Sequence, residues 1–249
     1  MADEQLSIEV VVPIYNEEKE LRTNILRLYH FLEKKNLSNK WRIMIADNAS
    51  NDDSGRIGKK LSKEYAHIHY LHLPKKGRGR AVKEAWSRSK ADLYFYMDVD
   101  LSTDLAHLPA MVKALAKNYH IAIGSRLLAD SKVVNRPMKR EILSRGYNML
   151  IKLLFQTNFS DAQCGFKGVT RNTVTSLLPY IQDDEWFFDS ELLIVGEKAG
   201  YRIFEEPVKW VDNPGSTVRV LKTVSGDLKG LWYLFWARPW EKIKGPKNA

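Results

Sequence analysis

A regular alternation of short apolar runs with helix-like segments constrains this chain more than any other feature of its sequence. Five such runs, at 8–14, 41–46, 68–73, 93–97 and 120–123, have the length and composition of buried strands. Between the first two runs, apolar residues recur at the spacing of one helix face (Leu21, Ile25, Leu28 and Leu32). Because strands that alternate with helices are joined by crossover connections, the sequence predicts an α/β fold with a mostly parallel central sheet flanked by helices.

The size and the charge of the chain limit its function. With 249 residues, 44% of them hydrophobic, it can bury a substantial core. A net charge of +9 indicates an anionic partner: nucleic acid, a phosphate-bearing substrate or an anionic membrane surface. The single cysteine, Cys164, suits a reducing cytoplasm, and no run reaches the roughly 18 apolar residues of a membrane span. We predict an α/β domain over 1–220 and a C-terminal amphipathic helix or tail over 221–249.

Two aspartates follow the fourth apolar run directly. Asp98 and Asp100 are two positions apart, at the carboxyl end of a predicted strand, where α/β sheets bind their ligands. Carboxylates this close repel each other unless a cation lies between them, and oxygen ligands suit Mg²⁺ or Mn²⁺. Taken alone, the same pattern also fits a solvated turn that precedes a helix.

Other predicted strands also end in polar or basic segments. The first run leads into Pro13-Ile14-Tyr15-Asn16-Glu17-Glu18, the second into Asp47, and the third into a glycine-spaced basic loop at 74–80. Glycines let backbone N–H groups approach phosphate, and a helix N-terminus adds partial positive charge. In isolation the loop is better interpreted as a solvated basic turn. Because the carboxyl ends of parallel strands share one edge, these segments together predict a nucleotide-diphosphate site.

Several blocks, taken in order, resemble a known family. They are VVPIYNEE at 11–18, DNAS at 47–50, DVDLS at 98–102, GSR at 124–126, SRG at 144–146, DAQCGFK at 161–167 and WFFDSEL at 186–192. Together they resemble the family 2 inverting glycosyltransferases of the GT-A fold, and within them the polyprenyl-phosphate (dolichyl-phosphate) glucosyl- and mannosyltransferases. The resemblance implies metal-dependent transfer of a hexose from a nucleotide-diphosphate sugar to a polyprenyl phosphate, with inversion. UDP-glucose is the first choice of donor and GDP-mannose the second.

The resemblance also implies roles for residues on the donor side. Residues that match donor nucleotide-binding positions are Pro13, Tyr15, Glu17, Asp47, Lys76, Gly77, Asp98 and Arg219. Those that match metal positions are Asp98, Asp100 and Asn148, and the metal implied is Mg²⁺ or Mn²⁺. The chain departs from the family pattern at Thr217, where a basic residue usually follows Gly-Ser, and Arg219 lies two positions further on.

On the acceptor side, Arg126, Arg140 and Ser144 match positions that bind the lipid phosphate, and Asp100, Arg126 and Asp189 are the implied catalytic residues. A phosphate monoester has a second pKa of about 6, so it is already largely ionised at pH 7. It needs positioning and charge neutralisation rather than a general base. We therefore expect Asp189 and Glu191 to shape the acceptor pocket or to hold basic residues in place.

The sequence leaves other functions open. A family 2 enzyme acting on a glycan or protein hydroxyl would use Asp189 or Glu191 as its base. A sugar nucleotidylyltransferase would share the sheet, but no G-x-G-T-R-like segment follows the first run. A basic nucleic-acid-binding protein would explain the charge but not the acidic strand ends, so we expect no nucleic-acid partner.

The C-terminal region combines aromatic and cationic residues. The segment 228–240 contains Trp232, Trp236 and Trp240 among lysines and arginines, a composition typical of a bilayer interface. The alternative is a final helix packed on the domain. Basic residues elsewhere would add attraction to anionic lipid (Lys132, Arg136, Lys139 and Arg140). We expect a cytoplasmic protein that binds peripherally to the cytoplasmic face of a membrane.

Overall fold

A computed structural model describes residues 6–212 and 220–246. The strands are β1 (Ile8–Ile14), β2 (Trp41–Asn48), β3 (Ile68–Leu73), β4 (Leu93–Met97), β5 (Ile121–Ser125), β6 (Lys132–Val134), β7 (Phe166–Thr170), β8 (Ile203–Pro207) and β9 (Lys209–Val211). The helices are α1 (Leu21–Lys35), α2 (Ser54–Glu64), α3 (Arg78–Arg88), α4 (Leu108–Lys117), α5 (Met138–Phe155), α6 (Arg171–Leu177), α7 (Phe188–Lys198) and α8 (Val220–Ala237). Short 3₁₀ turns lie at Leu105–His107, Leu178–Tyr180 and Pro239–Lys242.

Seven of these strands form one sheet in the order β3-β2-β1-β4-β7-β5-β8. All neighbouring strands are parallel except β7, which runs antiparallel to both β4 and β5. The mostly parallel sheet predicted from the sequence is confirmed, and each of the five predicted strands is present. The chain order reverses on either side of β1, so the carboxyl ends of β1 and β4 flank a topological switch point, where open α/β sheets bind ligands.

The core lies on both faces of the sheet, which explains why the strands read as continuous apolar runs. Every residue of β1 and β4 is buried. In β1, Val11 packs into one hydrophobic cluster with α3 and α7, whereas Val10 and Val12 pack into the other with α1 and α4. This alternation follows from the period of two in a strand. A strand covered on both faces carries apolar residues at every position.

A small parallel ribbon of β6 and β9 lies beside the main sheet. It is joined to the segment after Asp100 by a bridge between Thr103 and Trp210. The backbone N–H of Val211 also donates to the carbonyl of Ser102, at 2.9 Å. The ribbon therefore brings Trp210 and the end of β9 next to the aspartate pair.

The C-terminal helix α8 has two different faces. Leu231 and Leu234 are buried in the core cluster that includes α7. On the outer face, Trp232 and Trp236 are each 67% exposed. Among the described residues, no helix has the length and apolar content needed to cross a membrane. The division into two parts at residue 220 stays a prediction, although α8 begins there.

The close packing of α8 on the domain can be tested with two glycines of that helix. A Cβ at Gly230 would lie 2.2 Å from the Phe187 ring, whereas a Cβ at Gly226 would meet nothing within 4 Å. We expect Gly230→Ala to destabilise the fold by about 1–3 kcal/mol through overpacking. The matched control Gly226→Ala should be neutral or stabilising by up to about 1 kcal/mol, because alanine favours a helix. Urea unfolding measures both, and equal effects would contradict the packing described.

Candidate active site

The candidate site lies at the carboxyl edge of the sheet, and its centre is the aspartate pair. Asp98 follows β4, and its backbone N–H donates to the carbonyl of Gly165 at 3.1 Å. A Cβ at position 165 would lie 1.8 Å from Asp98 Oδ2, so only glycine allows the turn before β7 to approach this carboxylate. Asp100 is held by a left-handed turn at Leu101 (φ 47°) and accepts a hydrogen bond from the Ser102 N–H at 3.0 Å.

A cation bound between Asp98 and Asp100 would reduce the repulsion between their carboxylates. Burial, and then the neighbouring Asp98, raises the pKa of Asp100. Burial, and then Glu20 and Asp100, raises the pKa of Glu17 to about 7. Within the described ranges, no group of three or more acidic, histidine or cysteine side chains is arranged to hold a metal. Two carboxylates supply only part of a ligand shell, and Mg²⁺ commonly completes its shell with waters and substrate phosphates.

A buried arginine that sequence reasoning missed connects this pair to the centre of the protein. Arg78, the first residue of α3, donates to Asp98 Oδ1 at 2.6 Å and to Asp189 Oδ2 at 2.6 Å. Lys167, which is fully buried, donates to the other oxygen of Asp189 at 2.9 Å. The side chains thus form a row of alternating charge, Asp98–Arg78–Asp189–Lys167, which we call the charge row.

Burial and pairing set the ionisation of the charge row. Burial would lower the pKa of Arg78, but Asp98 and Asp189 raise it above its ordinary value. Burial raises the pKa of Asp189 to about 6, against the opposing effect of Arg78. Burial lowers the pKa of Lys167. Both Asp189 oxygens are engaged by cations. Asp189 therefore fixes two basic residues in place.

Glu191 also has internal partners for its carboxylate. It accepts from the backbone N–H groups of Gln182 at 3.1 Å and of Asp183 at 2.7 Å. It thereby closes the loop before α7 onto that helix.

Asp47 and Asn48 organise the predicted donor end of the site. Asp47 Oδ2 accepts from the Tyr70 hydroxyl at 2.5 Å, and Oδ1 accepts from the Ser50 N–H at 2.9 Å. Burial would raise the pKa of Asp47, but these hydrogen bonds outweigh it and the pKa is lowered. Asn48 donates to the carbonyl of Ile14 at 3.1 Å and accepts from the Gly77 N–H at 2.6 Å. The ends of β1 and β2 and the basic loop are thus linked.

The basic loop lies against the first strand end. Lys76 Nζ is 3.4 Å from the centre of the Tyr15 ring, a cation–π contact between two predicted donor residues. Gly77 has φ 154°, and a Cβ there would lie 2.5 Å from the carbonyl oxygen of Asp184, which excludes other residues. Pro13 is buried in β1. Arg219 and Thr217 lie outside the described residues.

The predicted acceptor residues lie at a second corner, which we call the basic corner, where three arginines are each paired with a carboxylate. Arg126 binds Asp161 through two nitrogens, at 2.8 and 2.9 Å. Burial would raise the pKa of Asp161, but Arg126 lowers it to about 2. Arg140 pairs with Asp212 at 2.5 Å. Arg126 lies 5.5 Å from the centre of the Trp210 ring.

Two buried polar atoms at this corner have no hydrogen-bond partner within the described chain. They are Ser144 Oγ and Arg136 Nε. Burial, and then the like charge of Arg126, lowers the pKa of Arg136, although Glu141 pairs with its NH1 at 2.7 Å. Buried polar atoms are nearly always satisfied, so these two retain unused capacity to donate hydrogen bonds. The sequence indicates only membrane attraction for Arg136, because this residue precedes α5 and therefore shares no helix face with Arg140.

Asn148, the predicted third metal residue, has a different set of partners. Its amide donates to the carbonyl of Ser144 at 2.9 Å, and its oxygen accepts from the Ala162 N–H at 2.8 Å. The residue therefore connects α5 to the turn that precedes β7. Its role as a metal ligand stays a prediction.

Comparison with known proteins gives a consistent picture. Residues 9–177 match the family model described as glycosyl transferase family 2. The chain is 30% identical over 239 residues to glycosyltransferase AglD of Haloferax volcanii, covering 94% of this chain but only 38% of that protein. It is 32% identical over 222 residues to dolichyl-phosphate β-glucosyltransferase ALG5A of Trichomonas vaginalis, covering 86% of this chain and 68% of that protein.

Solved structures support the fold. The crystal structure of glucosyl-3-phosphoglycerate synthase from Mycobacterium tuberculosis matches 98% of this chain and 82% of its own with a TM-score of 0.69 at 15% identity. The same enzyme in complex with Mn²⁺, UDP-glucose and phosphoglyceric acid matches 92% of this chain and 79% of its own with a TM-score of 0.67 at 15% identity. At this identity the likeness shows the fold alone, and it confirms the predicted GT-A architecture.

The crowding of acids around Glu17 gives a testable dependence of stability on pH. The folded protein holds the Glu17 proton up to about pH 7, whereas the pKa of an unperturbed glutamate is 4.5. A raised acid pKa means that stability is lost as the pH rises between these values. Without divalent metal, Glu17→Gln should therefore stabilise the fold at pH 8 and leave its stability unchanged at pH 4. The expected gain is on the order of 1 kcal/mol, because solvent screens the half-exposed side chain and reduces the effect of its raised pKa.

Urea unfolding in EDTA at the two pH values measures this effect. Glu84→Gln, on α3, is the matched control and should show no such dependence on pH, because its partner Arg88 keeps its charge throughout this range. A destabilised Glu17→Gln variant at pH 8 would contradict the crowding.

Proposed function

The chain belongs to glycosyltransferase family 2, and from that premise we propose that it transfers glucose from UDP-glucose to a polyprenyl (dolichyl) phosphate. GDP-mannose remains the second choice of donor. Relatives named dolichyl-phosphate β-glucosyltransferase support both the acceptor and the sugar. The chain spans only 38% of AglD, so the activity of that longer protein is not carried over.

The observation that carries the acceptor proposal is the basic corner around Arg126. Ser144 Oγ and Arg136 Nε are buried there without partners among the described residues, and Arg140 lies on the same face of α5 as Ser144. Three arginines and a hydroxyl suit a phosphate, because guanidinium groups bind its oxygens in charge-assisted pairs. Only part of a polyprenyl phosphate is polar, so its headgroup would enter this corner while its chain remains outside.

The same residues suggest how the reaction proceeds. A phosphate oxygen, already ionised, would attack the anomeric carbon as the bond from that carbon to the nucleotide diphosphate breaks, which inverts the configuration. No proton has to be removed, so no general base is required. Asp189 and Glu191 support this assignment, because the oxygens of both carboxylates are already hydrogen-bonded inside the protein. Each such hydrogen bond stabilises the ionised carboxylate and makes it a weaker base.

On the donor side, Asp98 and Asp100 would hold Mg²⁺ or Mn²⁺, and the like-charge crowding at Asp100 fits that role. When bound, such a cation supplies neutralisation of the charge on a leaving diphosphate. A structural neighbour crystallised with Mn²⁺ and UDP-glucose supports a divalent cation. Arg78 fixes Asp98, and Lys76 adds positive charge at the end of β1, where its Nζ lies over the Tyr15 ring.

We expect the protein, incubated with Mn²⁺ or Mg²⁺, a polyprenyl phosphate and a panel of nucleotide sugars, to form polyprenyl-phosphate glucose from UDP-glucose. Asp100→Asn should lower kcat/KM by roughly 100-fold or more. Ser144→Ala should mainly raise the KM for the lipid phosphate. EDTA should abolish turnover.

Mass spectrometry of the lipid product gives the readout, and Glu33→Gln serves as the active control. Two results would contradict the proposal. One is full turnover by a folded Asp100→Asn variant. The other is a reaction with a sugar hydroxyl and none with any polyprenyl phosphate.

We also propose that the protein binds peripherally to the cytoplasmic face of a membrane. Sixteen large apolar side chains are exposed in the described part of the chain, and eleven of them lie on two helices that pack together. We call these eleven the apolar surface: Met138, Ile142, Leu143, Met149, Leu153 and Leu154 on α5, and Val224, Leu228, Trp232, Tyr233 and Trp236 on α8. Lysines and arginines at its margin favour anionic lipid (Lys139, Arg145, Lys152 and Arg238).

We expect the protein to sediment with vesicles that contain phosphatidylserine and much less with vesicles of phosphatidylcholine alone. Replacing Trp232 and Trp236 together by serine should weaken vesicle binding by about tenfold or more, because both rings leave the bilayer interface. Tyr119→Ser, which removes an exposed aromatic side chain outside the apolar surface, is the matched control. Equal binding of both variants to the charged vesicles would contradict the surface assignment.

A further inference from the structure

The inner face of α8 carries an acid at a position where an apolar residue would be expected. Asp227, Leu231 and Leu234 follow the spacing of one helix face, and all three are buried. Asp227 is only 3% exposed. A buried carboxylate is costly unless it is paired with a cation or well hydrogen-bonded. Its presence on this face therefore calls for a partner.

The partners that the described residues offer Asp227 do not neutralise it. Gln163 donates its side-chain N–H to Asp227 Oδ2 at 3.1 Å. No lysine, arginine or histidine within the described ranges forms an ion pair with it. The nearby charged groups are themselves acidic: burial, and then Asp189 and Asp183, raises the pKa of Asp227 to about 7. Asp227 therefore retains capacity to accept hydrogen bonds.

The position of Gln163 shows which part of the site this carboxylate faces. Gln163 lies in the turn at 161–165 that precedes β7. At one end of the turn, Asp161 holds Arg126 of the basic corner, and at the other end Gly165 touches Asp98 of the aspartate pair. Through Gln163, Asp227 thus contacts the middle of the turn 161–165, which connects the basic corner to the aspartate pair. A hexose that passes from one phosphate to the other must lie between those corners.

We propose that Asp227, oriented by Gln163, accepts a hydrogen bond from a hydroxyl group of the transferred hexose and helps to select that sugar. The inference rests on the proposed function and extends it, because it assigns a sugar-binding role to the C-terminal helix. A hexose offers several O–H donors, and a site built to bind one of them rejects an analogue that lacks it. Epimers that direct the hydroxyl elsewhere are disfavoured for the same reason.

The test uses the full chain and the nearly isosteric variant Asp227→Asn. We expect this variant to bind UDP as the wild type does, since the proposed nucleotide site lies at the ends of β1, β2 and β3. Its kcat/KM for UDP-glucose should fall by about 10- to 100-fold, as for other lost hydrogen bonds to substrate. Gly226→Ala, at an exposed neighbouring position of α8, is the control and should keep wild-type values.

A series of UDP-deoxyglucose donors separates recognition of the sugar from a structural effect. The donor that lacks the hydroxyl bound by Asp227 should be a poor substrate for the wild type. Its kcat/KM should fall no further in Asp227→Asn, because the same hydrogen bond is already absent. The inference would be overturned by equal losses of UDP and UDP-glucose binding, or by the same Asp227→Asn penalty with every deoxy donor. A wild-type protein that binds no nucleotide sugar would refute the proposed function and, with it, this inference.

Discussion

The structure of the site depends on one buried cation, the guanidinium of Arg78. Its removal from water is unfavourable, and two carboxylates offset that cost together with the faces of the Tyr96 and Trp186 rings, each 5.1 Å away. Since Arg78 begins α3, Asp98 directly follows β4 and Asp189 lies in the first turn of α7, this residue fixes three elements relative to one another. Removing it would leave the buried Asp189 and the half-exposed Asp98 without their shared partner, so the aspartate pair and the start of α7 would be disturbed together.

The sheet and its ligand-binding edge were predictable because their signals are local. A strand covered on both faces is apolar at each position, and β1, β3 and β4 have the bounds expected from the sequence. The antiparallel strand β7 was not predicted. It is short, contains Lys167 and Gly168, and its pairing is decided by residues far away in the chain.

The candidate site was predictable only in outline. Asp98, Asp100 and the basic loop were identified because they directly follow strands. Which basic residue of the loop turns inward depends on Asp189, 111 residues further along the chain, and no pattern within the loop distinguishes Arg78 from Lys76. Asp227 was missed for a similar reason, since a single acid within an aromatic-rich helix reads as part of its solvated face. The pairing of buried charges requires the folded arrangement.

Helix α5 has a consequence for how an acceptor lipid would be positioned. One rigid rod of 18 residues carries Arg140 and Ser144 on its inner side and Ile142, Met149 and Leu153 on its outer side. The distance between the phosphate-binding corner and the outer apolar residues is therefore set by helical rise, about 1.5 Å per residue. A single inserted residue between Ser144 and Met149 would rotate the two halves by about 100° relative to each other. The spacing of residues along this one helix thus sets the depth at which a headgroup is bound. Substitutions in α5 preserve that spacing, whereas insertions and deletions change it.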